Sequence, residues 1–122
     1  MNAESNGTKT LEELASRVEM FVEERDWAQF HSPKNLSMAL SGEVGELIEH
    51  FQWLTQEQSR ELSGEAYESV RQEIADVQIY LLLLARKLDI DLVQAASDKL
   101  DMNARKYPVE KAHGNARKYS EL

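Results

Sequence analysis

The chain contains no cysteine, so it can form no disulfide bond and offers no thiolate as a metal ligand or nucleophile. Its 122 residues include only five glycines and two prolines, the residues that most often interrupt helices. The longest apolar run, at 79–85, is far shorter than the ~20 residues of a membrane-spanning helix. The polar segment 1–10 lacks the apolar stretch of a secretory signal, which predicts a cytoplasmic protein.

Positive charge is also scarce, since the formal net charge is −8. This excess of acid argues against general binding to nucleic acid. Residues 1–98 hold 8 basic and 19 acidic side chains (net −11), whereas residues 99–122 hold 6 basic and 3 acidic ones (net +3). An acidic body with a basic tail is suited to a site in which metal ions, held by the acids, and cationic side chains both bind an anionic substrate. The simpler interpretation is that most of these acids only solvate helix surfaces.

The composition, 42% hydrophobic and 30% charged, is that of a globular protein. The length predicts a single domain over residues 1–122, with a flexible N-terminus at 1–10 and a basic C-terminal tail at 108–122. Small helical chains have modest cores and often complete them by forming oligomers.

Apolar residues recur at helical spacing and no stretch alternates as a strand would, so the sequence predicts an all-α fold. Four helices are expected, at about 11–26, 33–53, 65–88 and 92–106, with a polar loop over 55–64 that has room for a short helical turn. Thr10, Ser32 and Asp91 are the expected N-caps, two of them within capping boxes. The second helix should bury Leu36, Leu40, Val44, Leu47, Ile48 and Phe51.

The run 79–85 in the third helix is apolar on every side, as expected for a helix that is enclosed all round. In a chain this small, such enclosure favours a subunit interface. The sequence therefore predicts a helical bundle module that is completed by oligomerisation.

Two acidic pairs are set one helical turn apart, Glu43 with Glu46 and Glu73 with Asp76. Residues three apart share a helix face, so each pair aims two carboxylates in one direction, beside residues that should face the core. Carboxylates crowded in this way repel each other and lose hydration unless a cation lies between them. A hard divalent ion such as Mg²⁺ is the simplest candidate, which indicates phosphate chemistry.

Two other interpretations of these acids stay open. They are exposed groups on solvated helix faces, or they belong to a di-iron carboxylate bundle. The bundle would need two Glu-x-x-His pairs, and neither acidic pair has histidine at the third step. His50 follows Glu46 by four residues and has no counterpart in the third helix.

Aromatic residues flank both acidic segments. Trp27, Phe30, Trp53 and Tyr80, with His31, could form a slot for a nucleobase, because stacking contributes about 1–3 kcal/mol per base. The same residues could equally be core or interface groups, and sequence spacing does not decide between slot and core.

Several of these segments resemble the MazG-like nucleotide pyrophosphohydrolases, most closely the dCTP pyrophosphatase branch. The likeness is carried by ERDWxQFHxPKNL at 24–36, EVGEL at 43–47, FQW at 51–53, EIADVxIYL at 73–81 and KxDxNxRxYP at 99–108, where x is any residue. It extends over most of residues 20–120.

The resemblance implies an all-α four-helix module that assembles as a dimer or a dimer of dimers. It implies Mg²⁺-dependent cleavage of a nucleoside triphosphate between the α- and β-phosphates. The implied metal ligands are Glu43, Glu46, Glu73 and Asp76. The implied base and sugar pocket consists of Trp27, His31, Trp53 and Tyr80. The implied phosphate contacts, within a subunit or between subunits, are Lys99, Asn103, Lys106 and Tyr107.

The hypothesis is therefore a hydrolase that converts dCTP and 5-modified dCTP to dCMP and pyrophosphate and clears unwanted deoxynucleotides. Water would attack phosphorus in line, with Glu46 or Glu49 accepting its proton. One alternative is a related hydrolase that prefers dUTP or another triphosphate. The other is a non-catalytic helical interaction module.

Overall fold

A computed structural model describes residues 7–122 of the chain, and the secondary structure of these residues consists of helices and turns. The predicted all-α fold is confirmed. Of the predicted flexible terminus 1–10, residues 1–6 lie outside the described part. The helices are α1 (Leu11–Glu24), α2 (Pro33–Glu49), α3 (Gln56–Ser59), α4 (Gly64–Lys87), α5 (Leu92–Lys106) and α6 (Val109–Ala112), with 3₁₀ turns at Ala28–Phe30 and Tyr119–Glu121.

The three predicted N-caps are confirmed. The side chains of Thr10, Ser32 and Asp91 each accept a hydrogen bond from the backbone N–H three residues on, at 3.0 to 3.1 Å. The predicted capping boxes at Thr10 and Asp91 are incomplete, since the side chain of Glu13 accepts from the Thr10 hydroxyl and Gln94 donates to Asp98. A reciprocal capping box forms instead at Thr55 and Gln58, where it begins the short helix α3.

Two of the long helices end before their predicted boundaries. The first ends at Glu24 rather than near Asp26, because Asp26 has a φ of +53°, in the left-handed region that ends a helix. The second ends at Glu49 rather than near Trp53, with His50 as its C-cap. After it the chain turns, as shown by the backbone bond from the Leu54 N–H to the Phe51 carbonyl.

The core is formed by α1, α2 and α4. Val18, Val22, Leu36 and Leu83 form its buried cluster, and Leu14, Ile79, Tyr80 and Leu84 pack against it. Leu36 near the start of α2 shares this cluster with Leu83 near the end of α4, whereas His50 after α2 contacts Glu73 in the middle of α4. The two helices are therefore antiparallel.

Burial along α2 is less extensive than the sequence predicts. Leu36 is buried, and Leu40, Leu47 and Phe51 are half-buried, but Val44 and Ile48 are 37% and 53% exposed. The prediction that these last two are buried is therefore wrong for the single chain.

The apolar run 79–85 of α4 is largely enclosed within the same chain. Leu82, Leu83 and Ala85 are buried, and Leu81 is 38% exposed. Much of the enclosure that suggested a subunit interface is therefore provided by the chain's own helices, and oligomerisation stays a prediction.

Arg86 joins the C-terminal part of α4 to α1. Its Nε donates to Glu19 at 3.1 Å and its Nη1 to Glu12 at 3.2 Å, and the hydrogen bond from Arg86 holds the pKa of Glu19 below its usual value. More than a third of each of these side chains is exposed, so the ion pairs contribute little to stability.

The chain divides into two compact units, one that ends at Asp89 and one that comprises Ile90–Leu122. The predicted single domain over 1–122 stays a prediction. No helix within residues 7–122 has the length and hydrophobicity needed to cross a bilayer.

Replacing Leu36 tests the packing of α2. Its side chain is 1% exposed, and large-to-small changes at such positions typically cost about 2–5 kcal/mol because a cavity remains. We expect Leu36→Ala to lower the free energy of unfolding, measured by urea denaturation, by about that amount. Lys34→Ala on the same helix, where the side chain is exposed, is the control and should cost much less. Equal losses in the two variants would contradict the assigned core.

Candidate metal centre

Two helices bring three of the predicted acidic side chains together. Glu43 comes from α2, and Glu73 and Asp76 come from successive turns of α4. One carboxylate oxygen from each lies within 4.8 Å of the others. Glu73 and Asp76 lie three residues apart on α4, so both are on one face of that helix. The antiparallel packing of α2 against α4 brings Glu43 to the same place.

Glu43 has the most unusual environment of the three. Its Oε2 atom is buried and has no hydrogen-bond partner. The pKa of this carboxyl is raised from 4.5 to about 7, first by a hydrogen bond that its protonated form makes with Glu46. Burial adds to the shift, as do the negative charges of Glu46, Asp76 and Glu73. The site therefore favours a proton or a cation at this position.

Glu46 and Glu49 lie outside the group of three. Both side chains are exposed, and Glu46 contacts the site mainly through its neighbour Glu43. That Glu46 is a fourth metal ligand stays a prediction. That Glu46 or Glu49 accepts a proton also stays a prediction.

His50 is a contact of the centre that sequence reasoning missed. Its Nε2 lies 3.3 Å from Glu73 Oε2, with the His50 side chain 33% and the Glu73 side chain 19% exposed. The spacing 43, 46, 50 follows the three- and four-residue steps of one helix face, and this signal could have placed His50 beside the acids.

The group of three fits a hard divalent cation. Carboxylate oxygens are the ligands that Mg²⁺ and Ca²⁺ prefer, and an unpaired buried oxygen with a raised pKa is a group that a cation would stabilise. Exposed acidic groups also cluster without an ion, so the burial of Glu43 Oε2 is the observation that distinguishes this group.

Within residues 7–122 of one chain, the rings of the predicted aromatic slot do not pair with one another. The ring pairs formed within residues 7–122 are Phe21–Trp27, at 5.7 Å between centroids, and Tyr107–Tyr119, at 6.2 Å. Tyr80 packs against the core cluster and Trp53 is 86% exposed. A pocket built from Trp27, Trp53 and Tyr80 therefore stays a prediction.

His31 lines a cavity of about 260 Å³ in the first unit. The cavity is also lined by the apolar side chains of Val22, Ala28 and Leu83 and by charged side chains of both signs. The cavity has room for part of a small ligand. Of the four residues predicted to bind the base and sugar, His31 lines it.

The predicted phosphate contacts belong to the second unit. Lys99, Asn103 and Lys106 lie on α5, and Tyr107 is its C-cap. The Lys106 ammonium lies over the ring of Tyr119, at 4.9 Å from the ring centroid. Their role at a site in the first unit stays a prediction.

The chain is similar to several known proteins. A model of the MazG-like family matches residues 38–122. The chain is 44% identical over 115 residues to dCTP pyrophosphatase 1 of Bos taurus and to that of Homo sapiens, which covers 93% of this chain and 68% of each relative. It also resembles the crystal structure of a pyrophosphatase from Archaeoglobus fulgidus, with a TM-score of 0.73 and 36% identity, over 88% of this chain and 98% of that one.

The raised pKa of Glu43 makes the stability of the metal-free protein depend on pH. The folded state holds the Glu43 proton more tightly than the unfolded state does. The contribution of this proton to the free energy of unfolding is fully present below pH 4.5, the ordinary pKa of the group. It is lost as the pH rises through about 7, the pKa in the folded state. We therefore expect wild-type protein in a chelating buffer to lose stability relative to Glu43→Gln between about pH 5 and pH 8.

Glutamine resembles the protonated carboxyl and does not titrate, so Glu43→Gln is the matched control for this experiment. Urea denaturation of both proteins across the pH range gives the difference in their free energies of unfolding. Parallel pH profiles would contradict the assigned environment of Glu43.

Proposed function

The chain belongs to the MazG-like family, and on that premise we propose that it is a Mg²⁺-dependent nucleoside triphosphate pyrophosphohydrolase. Its substrates are dCTP and 5-modified dCTP, which it converts to dCMP and pyrophosphate, and it clears such nucleotides from the cytoplasm. The observation that supports this most directly is the carboxylate group of Glu43, Glu73 and Asp76, in a chain 44% identical to two dCTP pyrophosphatases.

In this proposal Glu43, Glu73 and Asp76 hold the cation, with Glu46 as a further ligand or as a base. When bound, the cation offsets the charge of the triphosphate and makes water a stronger acid. Three carboxylates alone would repel a polyphosphate, so the same groups that bind Mg²⁺ prevent the substrate from binding without it.

The chain's own proton acceptor in this scheme is Glu46 or Glu49. Of the two, Glu46 is better placed, because its carboxyl is the neighbour with the largest effect on the pKa of Glu43. It would take the proton from the attacking water, and pyrophosphate would leave toward cationic side chains.

The base and sugar bind to Trp27, His31, Trp53 and Tyr80 in the proposed enzyme. The large exposed area of Trp53 and the partly open ring of Trp27 leave aromatic faces available for stacking. Lys99, Asn103, Lys106 and Tyr107 supply the phosphate contacts.

A homo-oligomer, either a dimer or a dimer of dimers, is part of the same proposal. Met38, Ile48 and Ile74 are each more than half exposed in the single chain, and removing apolar surface from water favours association. Burial of these residues between subunits would complete the modest core.

Turnover of dCTP with Mg²⁺ tests the proposal. We expect release of pyrophosphate and dCMP, and a loss of about 10²–10⁴-fold in kcat for Glu46→Gln if that carboxylate is the general base. Glu57→Gln, at an exposed position on α3, is the control and should retain wild-type turnover. Near wild-type activity of Glu46→Gln would contradict its role at the site.

The same assay with a panel of nucleotides separates the alternatives. Higher kcat/KM for dUTP than for dCTP or 5-substituted dCTP would favour the related hydrolase. Absence of pyrophosphate release from every nucleotide in the panel would favour the non-catalytic interaction module.

A further inference from the structure

The contact between His50 and Glu73 joins the end of α2 to one of the three carboxylates of the metal centre. The ionised carboxylate can only accept a hydrogen bond, so His50 Nε2–H is the donor across the 3.3 Å separation. An imidazole N–H can donate in this way whether the ring is neutral or protonated. The contact therefore does not depend on a change in the charge of His50.

His50 is well placed to orient its partner. Its backbone N–H bonds to carbonyls of the last turn of α2, so the residue is held at the C-cap of the helix. Glu73 has three side-chain torsions and is mostly buried, with 19% of its side chain exposed. A hydrogen bond to one oxygen restricts rotation of this carboxylate and reduces the entropy lost when it binds a cation.

The position of the ring argues against His50 as a ligand. Among residues 7–122 the group of oxygens within 4.8 Å of one another comes from Glu43, Glu73 and Asp76, and His50 contributes no atom to it. Magnesium prefers oxygen ligands, whereas imidazole suits zinc, copper, iron and nickel. A histidine that contacts a ligating carboxylate from outside is the usual arrangement of a supporting residue.

We propose that His50 is a positioning residue, which holds the Glu73 carboxylate in the orientation that binds the divalent cation. This inference rests on the proposed function, because it assigns Glu73 as a metal ligand. Loss of such supporting hydrogen bonds typically weakens metal affinity or activity by about 10–100-fold.

Binding of Mg²⁺ alone, without nucleotide, tests this role. The measured quantity is the Mg²⁺ concentration that gives half of the maximal rise in unfolding temperature. We expect His50→Leu to raise this concentration by about 10–100-fold. His50→Gln, whose side-chain amide can still donate to Glu73, should restore affinity most of the way.

Three comparisons make the result specific to the His50–Glu73 contact. Gln78→Leu, the same kind of polar-to-leucine change at an exposed position of α4, should bind Mg²⁺ as wild type does. The unfolding temperatures of His50→Leu and His50→Gln without Mg²⁺ should agree, because the His50 ring is not part of the core. Mg²⁺ activation of dCTP turnover should shift in the same order as binding.

Failure of this inference differs from failure of the proposed function. If wild type binds Mg²⁺, Glu73→Gln does not, and His50→Leu binds as tightly as wild type, the positioning role is wrong and the metal site stands. A loss in His50→Leu that His50→Gln does not restore also contradicts the role of the hydrogen bond. If wild type and Glu73→Gln respond alike to Mg²⁺, the metal site itself is wrong and the inference falls with it.

Discussion

Three carboxylates of like charge lie within reach of one another because α2 packs antiparallel to α4. At one end of this pair, Leu36 and Leu83 share the buried core cluster, and farther along Glu43 faces Glu73 and Asp76. Burial of the apolar residues favours the packing, whereas repulsion and desolvation of the acids oppose it. The hydrophobic contact therefore holds the acids in an arrangement that they would not adopt by themselves.

The acids of this region have different environments, and the differences suggest different tasks. Glu43 has a buried oxygen without a partner, Glu73 is contacted by His50, and Glu46 and Glu49 are exposed. A carboxylate that is crowded and desolvated has most to gain from a cation, while an exposed neighbour keeps the freedom to exchange a proton with water. These environments are the reason for proposing Glu43 and Glu73 as ligands and Glu46 or Glu49 as the base.

Features set by local physics could be predicted from the sequence. The N-caps at Thr10, Ser32 and Asp91 each depend on a side chain and a backbone N–H three residues on, and all three form as expected. The spacing of Glu73 and Asp76 likewise follows from one turn of helix. The resemblance to the MazG-like family, which the family model confirms, rests on motifs in α2, α4 and α5 and in the segments on either side of α2.

Features that depend on packing between helices could not be predicted in the same way. The apolar pattern of α2 does not reveal that Val44 and Ile48 face away from the chain's own core. Helical spacing places His50 on the same face as Glu43 and Glu46, but its contact with Glu73 depends on the packing of α2 against α4, which the sequence does not give. The exclusion of Glu46 from the group of three depends on how α2 is rotated against α4, which periodicity leaves open.

The position of a bound cation is the most direct test of the central claim that α2 and α4 together build a metal site. Crystals of the protein grown with Mn²⁺ in place of Mg²⁺ would locate the ion by its anomalous scattering. We expect a peak bound directly to oxygens of Glu43, Glu73 and Asp76. A protein that hydrolyses dCTP while its ion lies elsewhere, with these three carboxylates turned away from it, would contradict the account.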